Sequence, residues 1–155
     1  MVEANKLTPA EPLVRITIGE QVLLARAELQ TAPVSCKSFL ESLPLSRSLL
    51  HARWSGQCGW APLGSISYRL APENATRYPR PGEILIYAGD LSEAEILLPY
   101  GAAAFASKAG PLAGNHILTI SEGANLLPEV GETLLWKGSL PIVFEAWREQ
   151  TRFLG

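Results

Sequence analysis

Arg53 is the cation whose surroundings most favour a chemical role. It opens the segment Arg53-Trp54-Ser55-Gly56-Gln57-Cys58-Gly59-Trp60, in which two tryptophans and two glycines accompany one guanidinium group. A planar guanidinium can hold a carboxylate or an amide carbonyl by two parallel hydrogen bonds. Aromatic side chains around it are typical of a small-molecule pocket. The alternative is an arginine on the surface that forms an ion pair.

A second candidate is the pair Asn115-His116, which follows the loop Gly110-Pro111-Leu112-Ala113-Gly114. Glycines let a backbone approach a ligand closely, and the end of such a loop can aim polar side chains inward. Of the two histidines, His116 is the better general-base candidate. The alternative is a histidine at a strand start that is hydrogen-bonded to nearby backbone.

The carboxylates Glu93 and Glu95 are two residues apart, so on a strand they share one face. Two close carboxylates can perform acid–base chemistry, because like charges raise the pKa of one of them. The commoner explanation is a solvated strand edge that carries charge against edge-to-edge pairing. Their roles stay open, and the neighbouring Asp90 is interpreted as a turn residue. Tyr87, Tyr100 and Phe105 either line a pocket or fill the core.

The elements that must position these residues are mostly strands. Apolar residues alternate over residues 14–18 and again over 23–29, with a two-residue turn at Gly19-Glu20, which predicts an antiparallel hairpin. Cys36, Phe39, Leu40 and Leu43 then follow helical spacing, so we expect one capping α-helix at about 32–43. Thr31 can cap this helix, and Pro44 ends it. No other substantial helix is expected.

The rest of the chain has short apolar runs between glycines and prolines, which number 13 and 12. Strands are predicted near Ser48–Trp54, Glu83–Tyr87, Ala94–Tyr100, Asn115–Ser121 and Pro141–Ala146. The long loop Pro72–Gly82 is interpreted as a functional rim or a covering flap. Many short antiparallel strands without a βαβ rhythm favour a closed or nearly closed barrel, so the fold class is mainly β.

Length and charge limit the possible functions. A chain of 155 residues suits one domain, and we expect a flexible leader at 1–12, a barrel domain at 13–147 and a tail at 148–155. The net charge of −2 comes from 13 basic and 15 acidic residues that do not cluster, so no nucleic-acid or membrane partner is expected. Without an export signal the protein is predicted to be cytoplasmic, with its two cysteines reduced and buried. No motif for a metal or a nucleotide occurs, so neither a metal nor a cofactor is expected.

Five segments carry a resemblance to a known family. They are the helix TAPVSCKSFLESLPL, the strand LLHARWSGQCGW and the later PGEILIY, together with SEAEILLPYG and AGPLAGNHILTI. With them the sequence resembles the small bacterial proteins that have a cyclophilin-like barrel, and it is most similar to an uncharacterised group of these, a domain of unknown function. The resemblance implies a closed barrel of about eight strands, a helix over one end and a ligand-sized cleft on one side.

The same resemblance does not imply peptidyl-prolyl isomerase activity. Cyclophilins present an arginine within a Phe-His-Arg segment, and His51-Ala52-Arg53-Trp54 offers one in a comparable place. Their later Gln-Phe-Phe segment, however, is replaced here by Ala94-Glu95-Ile96-Leu97-Leu98. This departure argues against isomerase chemistry.

We therefore expect the barrel to bind a small polar or anionic metabolite in one cleft. Whether a reaction follows, and whether the protein is an enzyme, is left open. A peptidyl-prolyl isomerase or proline-peptide binder is the first alternative, favoured only by analogy of fold. The second is a non-catalytic accessory or structural subunit, possible as a homo-oligomer, in which aromatics near the C-terminus (Trp136, Trp147, Phe153) make a subunit contact. The predicted cleft residues are Arg53, Tyr87, Tyr100, Asn115 and His116.

Overall fold

A computed structural model describes residues 12–148 of the chain. Their main feature is one antiparallel sheet of nine strands. An additional pairing between the strands Gln21–Ala27 and Gly114–Glu122 closes eight of these strands into a barrel and leaves the short strand Ala75–Thr76 outside the closure. The predicted closed barrel of about eight strands, in a mainly β protein, is therefore confirmed.

The described residues form eleven strands and two α-helices. The strands are β1 (Leu13–Ile18), β2 (Gln21–Ala27), β3 (Leu45–His51), β4 (Gly56–Pro62), β5 (Ala75–Thr76), β6 (Glu83–Tyr87), β7 (Glu95–Ala103), β8 (Ala106–Ser107), β9 (Gly110–Pro111), β10 (Gly114–Glu122) and β11 (Ser139–Trp147). The order in the nine-stranded sheet is β2-β1-β11-β3-β4-β7-β6-β10-β5, and a second, two-stranded sheet pairs β8 with β9. The helices are α1 (Pro33–Glu41) and α2 (Leu127–Lys137), and a short 3-10 helix (Ala124–Leu126) precedes α2.

Two separate apolar clusters lie on the two faces of the barrel wall. Alternate residues point inward from every strand, and on β7 the inward pair is Ile96 and Leu98. The outward Leu97 belongs instead to a smaller cluster outside the barrel, where Phe105 and Leu112 cover it. Part of the wall formed by β4, β6 and β7 is thus buried on both faces, because the segment after β7 folds back over it.

Helix α1 covers one end of the barrel, close to its predicted limits. Cys36 and Phe39 enter the core, where the Cys36 Sγ donates to the Ile117 carbonyl at 3.2 Å and Phe39 meets Phe144 edge to face. The prediction that Thr31 caps the helix is wrong. The N-cap residue is Ala32, whose side chain makes no hydrogen bond to the backbone of the first turn.

The first turn of α1 is capped by a residue far away in the chain. The Glu73 carboxylate accepts hydrogen bonds from the backbone N–H groups of Val34 at 3.2 Å and Ser35 at 2.8 Å. These bonds satisfy donors that a helix leaves free at its N-terminus. They also hold the pKa of Glu73 below its ordinary value of 4.5, chiefly through the Ser35 amide.

Helix α2 covers the opposite end, and the expectation of only one substantial helix is wrong. Leu127, Val130 and Leu134 are buried in the barrel core. Gly131 lies directly against the Tyr100 ring, so close that a side chain at this position would overlap it. A glycine inside a helix lowers its propensity, and here close packing against β7 is the physical reason for it.

Three further predictions can be compared with the described residues. Strand β3 ends at His51 rather than at Trp54, and β4 was missed. The long loop carries β5, which pairs with β10, and the backbone N–H of Glu73 donates to Asn115 Oδ1 at 3.0 Å. The predicted leader at 1–12 and tail at 148–155 lie outside the described residues except for their inner ends.

Neither described α-helix has the length and apolar character needed to span a bilayer.

Candidate functional site

A groove of about 550 Å³ runs across the outer face of the barrel wall. Its floor is formed by β3, β4 and the start of β7, and its rims are the β3–β4 loop, the loop before β7 and the β8–β9 hairpin. The lining residues are Leu50, His51, Ala52, Arg53, Trp54, Ser55, Trp60, Ser92, Glu93, Glu95, Ala106, Ser107, Lys108 and Gly138.

Ser55 joins the two rims of the groove. Its Oγ donates to the Ala106 carbonyl at 3.0 Å and accepts from the Ala106 N–H at 3.1 Å, while its own carbonyl accepts from the Ala104 N–H. The side chain is buried, so these bonds are shielded from water. The β3–β4 loop and the strand that opens the β8–β9 hairpin are therefore held together as one wall.

Two tryptophans face the groove from different elements. Trp60 projects from the outward side of β4 and is half-buried against the outer apolar cluster. Trp54 lies on the rim and is 56% exposed. An indole presents a broad apolar face with one N–H donor, so the pair offers surface for a flat ligand.

The groove also holds two cations, Arg53 and Lys108. Arg53 lies in the bend between β3 and β4 and not on a strand face, which corrects the predicted strand alternation of His51 and Arg53. Lys108 lies in the turn of the β8–β9 hairpin. Both are exposed, and neither forms an ion pair with another residue in the described part of the chain.

Glu95 is the acidic residue that the fold buries in this groove. It is only 7% exposed, and within residues 12–148 its carboxyl has no hydrogen bond or ion pair with another group. Burial, reinforced by the negative charge of Glu93, raises the pKa of Glu95 from its ordinary value of 4.5 to about 8. The predicted solvated edge fits the exposed Glu93 and is wrong for Glu95, because β7 lies between β4 and β6.

Cys58 lies on β4 behind the groove and is fully buried. Its Sγ donates to the Ser55 carbonyl at 3.4 Å. Burial and then the charge of Glu95 raise the pKa of the Cys58 thiol to about 12. A thiol in this state is a poor nucleophile.

His51 and Tyr100 form a hydrogen-bonded pair at the α2 end of the groove. The His51 Nδ1 is 2.9 Å from the Ala52 carbonyl, which can only accept, so Nδ1 carries the proton. The Nε2 lies 2.7 Å from the Tyr100 hydroxyl, which completes the pair. Burial raises the pKa of Tyr100, and Cys58 and Glu132 add to the effect. Tyr100, a predicted cleft residue, thus supports His51 from behind and does not line the groove.

Two other predicted residues, Tyr87 and Asn115, line a separate cavity of about 280 Å³. The Tyr87 hydroxyl accepts from the backbone N–H groups of Asp90 at 3.2 Å and Leu91 at 2.6 Å. The Asn115 amide donates to Ser35 Oγ and to the Ala71 carbonyl, both at 2.9 Å. Both side chains hold loops in place, and their ligand-binding role stays a prediction.

The fifth predicted residue, His116, lies in neither cavity. Its Nε2 is 3.0 Å from the Leu118 carbonyl and 2.8 Å from Thr119 Oγ1. Thr119 in turn donates to Glu28 at 2.7 Å. These contacts on β10 agree with the alternative stated for His116, a histidine hydrogen-bonded to nearby groups. Its role in ligand binding stays a prediction. The structure thus brings none of the other four predicted residues into the groove beside Arg53.

Of the lining residues that matter to the groove, sequence reasoning missed Lys108, named Trp60 only as a neighbour of Arg53, and left the role of Glu95 open. The signal for Glu95 was the continuous apolar run directly after it, Ile96-Leu97-Leu98, which indicates a strand buried on both faces. No comparable signal marks Lys108, because only the tertiary fold brings its hairpin to β4. Within residues 12–148 no group of three or more His, Cys, Asp and Glu side chains could hold a metal ion.

Comparison with solved structures shows the same fold in distant proteins. The chain is similar to McbB, solved in complex with tryptophan, with a TM-score of 0.67 and 16% identity over 90% of this chain and 46% of McbB. The chain thus spans less than half the length of McbB. It is also similar to the hypothetical protein AF2241 from Archaeoglobus fulgidus, with a TM-score of 0.60 and 16% identity over 91% of this chain and 98% of that protein. At such identity the likeness shows the fold alone.

No curated protein matches the chain in sequence. A family model, described as "Protein of unknown function (DUF3830)", matches residues 16–145, which is nearly the whole barrel from β1 to β11. The match agrees with the resemblance to an uncharacterised family that the sequence blocks indicated. The chain therefore belongs to the DUF3830 family.

Proposed function

We propose that the protein binds a small, planar molecule with an anionic group in the groove across β3, β4 and β7. One observation carries this proposal: two indole faces and two cations without an ion-pair partner line the same groove, within the part of the chain that the structure describes. The flat part of the ligand would lie against Trp54 and Trp60. Its anionic group would be held by Arg53, with Lys108 on the facing rim.

The balance of charge in the groove supports an anionic ligand. Because the pKa of Glu95 is raised to about 8, this carboxyl is mostly protonated and neutral at pH 7. Arg53 and Lys108 then face only one carboxylate, that of Glu93. The exposed position of both cations lets a ligand reach them without breaking an existing ion pair.

The size of the groove and one fold relative also support a small ligand. A volume of about 550 Å³ lies within the range of small-molecule pockets. McbB, which shares the fold, was solved in complex with tryptophan, which carries a planar indole ring and a carboxylate. A metabolite of this general chemistry is the ligand class we propose. The cyclophilin-like character of the barrel, bacterial origin and cytoplasmic location stay predictions.

The test uses indole-3-acetate as the probe and isothermal titration calorimetry as the measurement. Wild-type protein should bind the probe, and the neutral indole-3-acetamide should bind at least about tenfold more weakly, a difference of about 1.4 kcal/mol. Arg53→Ala should weaken binding of indole-3-acetate by a similar factor. Arg69→Ala is the matched control, because Arg69 is exposed and lines no part of the groove. Equal affinity in Arg53→Ala and wild type would contradict the role of Arg53.

A proline-rich peptide is the second candidate ligand. Such peptides dock on grooves lined with aromatic side chains, and Trp54 and Trp60 provide this surface. A titration with a proline-containing tetrapeptide, followed by a coupled protease assay of its isomerisation, separates the two. Tighter binding of the peptide than of indole-3-acetate, with isomerisation that Arg53→Ala abolishes, would favour this candidate.

The remaining alternative is an accessory subunit, and the exposed apolar surface of α2 supports it. Trp136 is 80% exposed and Leu135 is 53% exposed, so the helix presents apolar area to solvent. Trp147 is less available, because the Arg15 guanidinium lies 5.4 Å from its ring centre. Phe153 lies outside the described residues. Light scattering on wild-type protein decides this alternative, since a strict monomer would contradict self-association.

A further inference from the structure

We propose that the groove is a catalytic site for proton transfer, in which Glu95 exchanges a proton with a small planar carboxylate substrate and so converts it into a tautomer. This inference rests on the proposed function, because the substrate must first bind against Trp54 and Trp60. It adds a reaction class and a catalytic residue to that function.

The first support is the position of Glu95. The residue is 7% exposed, lines the groove, and has no hydrogen bond or ion pair with another group of residues 12–148. Its carboxyl oxygens are not among the fully enclosed polar atoms, so they reach the groove. A carboxyl that is largely shielded from water is costly to bury without a partner, and a ligand in the groove can supply one.

The second support is the set of groups around Glu95. Glu93 approaches from the loop before β7, and Cys58 lies behind it on β4. Arg53 and Lys108 line the same groove from the two rims without forming an ion pair with Glu95. Burial and the like charge of Glu93 raise the pKa of Glu95 to about 8, which is near the value that suits a proton-transfer group at neutral pH.

The third support is that three reactive side chains at or behind the groove, those of Cys58, Ser55 and His51, are not free to act as nucleophiles. The Cys58 thiol is fully buried and its pKa is raised to about 12. Ser55 Oγ is hydrogen-bonded to both backbone groups of Ala106. Both ring nitrogens of His51 have partners, the Ala52 carbonyl and the Tyr100 hydroxyl. These contacts disfavour covalent catalysis by these three groups, and acid–base chemistry at Glu95 needs none of them.

The reaction is a proton shift within one molecule. The Glu95 carboxylate takes a proton from a carbon next to a carbonyl, the electrons of the broken C–H bond form a C=C bond, and the carbonyl oxygen receives the negative charge. Arg53 or Lys108 stabilises that charge. The Glu95 carboxyl then returns the proton to another atom of the same molecule. No oxidant, reductant or second substrate is consumed.

The test is a model reaction that reports proton abstraction from carbon directly. The probe is 5-nitrobenzisoxazole, which is planar and small. When a carboxylate removes its ring C–H proton, the C–H electrons form a nitrile, the N–O bond breaks and a coloured cyanonitrophenolate is released. The initial rate is followed by absorbance from pH 6 to pH 10.

Wild-type protein should accelerate this ring opening, with a rate that rises as Glu95 ionises and a midpoint near its pKa of about 8. Glu95→Gln should lose about 100-fold or more of the rate, because the amide cannot accept the proton. Glu93→Gln should move the midpoint to lower pH, because the like charge that raises the pKa of Glu95 is removed. Glu20→Gln changes an exposed carboxylate in the β1–β2 turn and should leave rate and midpoint unchanged.

Two further measurements place the reaction in the groove and separate the two proposals. Saturating indole-3-acetate should suppress the rate, and Glu95→Gln should still bind indole-3-acetate. If both proteins bind it but their rates are equal, or if the rate is unaffected by it, the catalytic role of Glu95 is overturned while the binding function stands. If the wild-type protein does not bind indole-3-acetate at all, the proposed function is contradicted, and the catalytic proposal that rests on it is contradicted as well.

Discussion

At the scale of single residues, the decisive feature is how differently two neighbouring acids are placed. Glu93 and Glu95 are two residues apart, yet Glu93 is exposed and Glu95 is 7% exposed. The difference arises because Glu95 begins β7, which lies between β4 and β6, whereas Glu93 lies in the loop before that strand. Cys58 is buried in the outer cluster with Phe105 and Leu112, and burial raises the pKa of both this thiol and the Glu95 carboxyl.

The Cys58 thiol gives a prediction at this scale. In Cys36→Ser protein, Cys58 is the only cysteine of the chain. With the Cys58 pKa raised to about 12 and its side chain fully buried, the folded variant should not react with a chromogenic disulfide reagent at pH 8. One thiol should react at once in guanidinium chloride. Rapid reaction of one equivalent in the folded protein would show that the outer cluster does not shield β4.

At the scale of elements, the sequence pattern predicted those strands and helices whose apolar residues repeat regularly along the chain. Alternation over residues 14–18 and 23–29 marked the first hairpin, and the spacing of Cys36 and Phe39 marked α1. Helix α2 was not predicted, because Gly131 interrupts its apolar face. A glycine is needed there because the helix packs directly against the ring of Tyr100, which is distant in the sequence. Interactions across the fold leave little trace in a local pattern.

The groove, too, was only partly predictable, because several of its residues are distant from one another in the sequence. Arg53 was identified from its own neighbours along the chain. Glu95 joins it through the pairing of β7 with β4, and Lys108 through the hydrogen bonds between Ser55 and Ala106, which hold that rim beside the barrel wall. The composition of the site was thus partly predictable, while its assembly depends on contacts between residues about fifty positions apart.

The distant cap of α1 gives a prediction at the scale of elements. Glu73→Ala removes the carboxylate that accepts from the Val34 and Ser35 amides, so the first turn of α1 should open more often. Hydrogen exchange at these two amides should become faster, and the urea midpoint of unfolding should fall. Glu41→Ala, at the exposed C-terminal end of α1, is the matched control. Unchanged exchange in Glu73→Ala would mean that the cap contributes nothing to holding the helix.

At the scale of the whole molecule, two carboxyls make stability depend on pH in opposite directions. The pKa of Glu73 is lowered in the folded protein, so its contribution is present above its unfolded value of 4.5 and is lost as the pH falls through the folded pKa. The pKa of Glu95 is raised from 4.5 to about 8. Its folded form therefore binds a proton that the unfolded form has released, and stability falls as the pH rises between these two values.

The last prediction follows from this second effect. One pKa unit corresponds to about 1.4 kcal/mol, so the free energy of unfolding should decrease by on the order of 4 kcal/mol between about pH 4.5 and pH 8 through Glu95. Urea unfolding at pH 5, 6, 7 and 8 measures the slope. Glu95→Gln should remove most of it, and Glu93→Gln should make it shallower because Glu95 then ionises more easily.

A slope that is the same in Glu95→Gln and wild type would mean that Glu95 is not buried as a neutral acid in the folded barrel. The slope that we expect instead has a functional meaning. A carboxyl that lowers stability whenever it ionises persists in a barrel wall only where surrounding contacts compensate for it. An anionic ligand in the groove is held best while Glu95 is neutral, so ligand binding should stabilise the protein most below about pH 8 and less as Glu95 ionises.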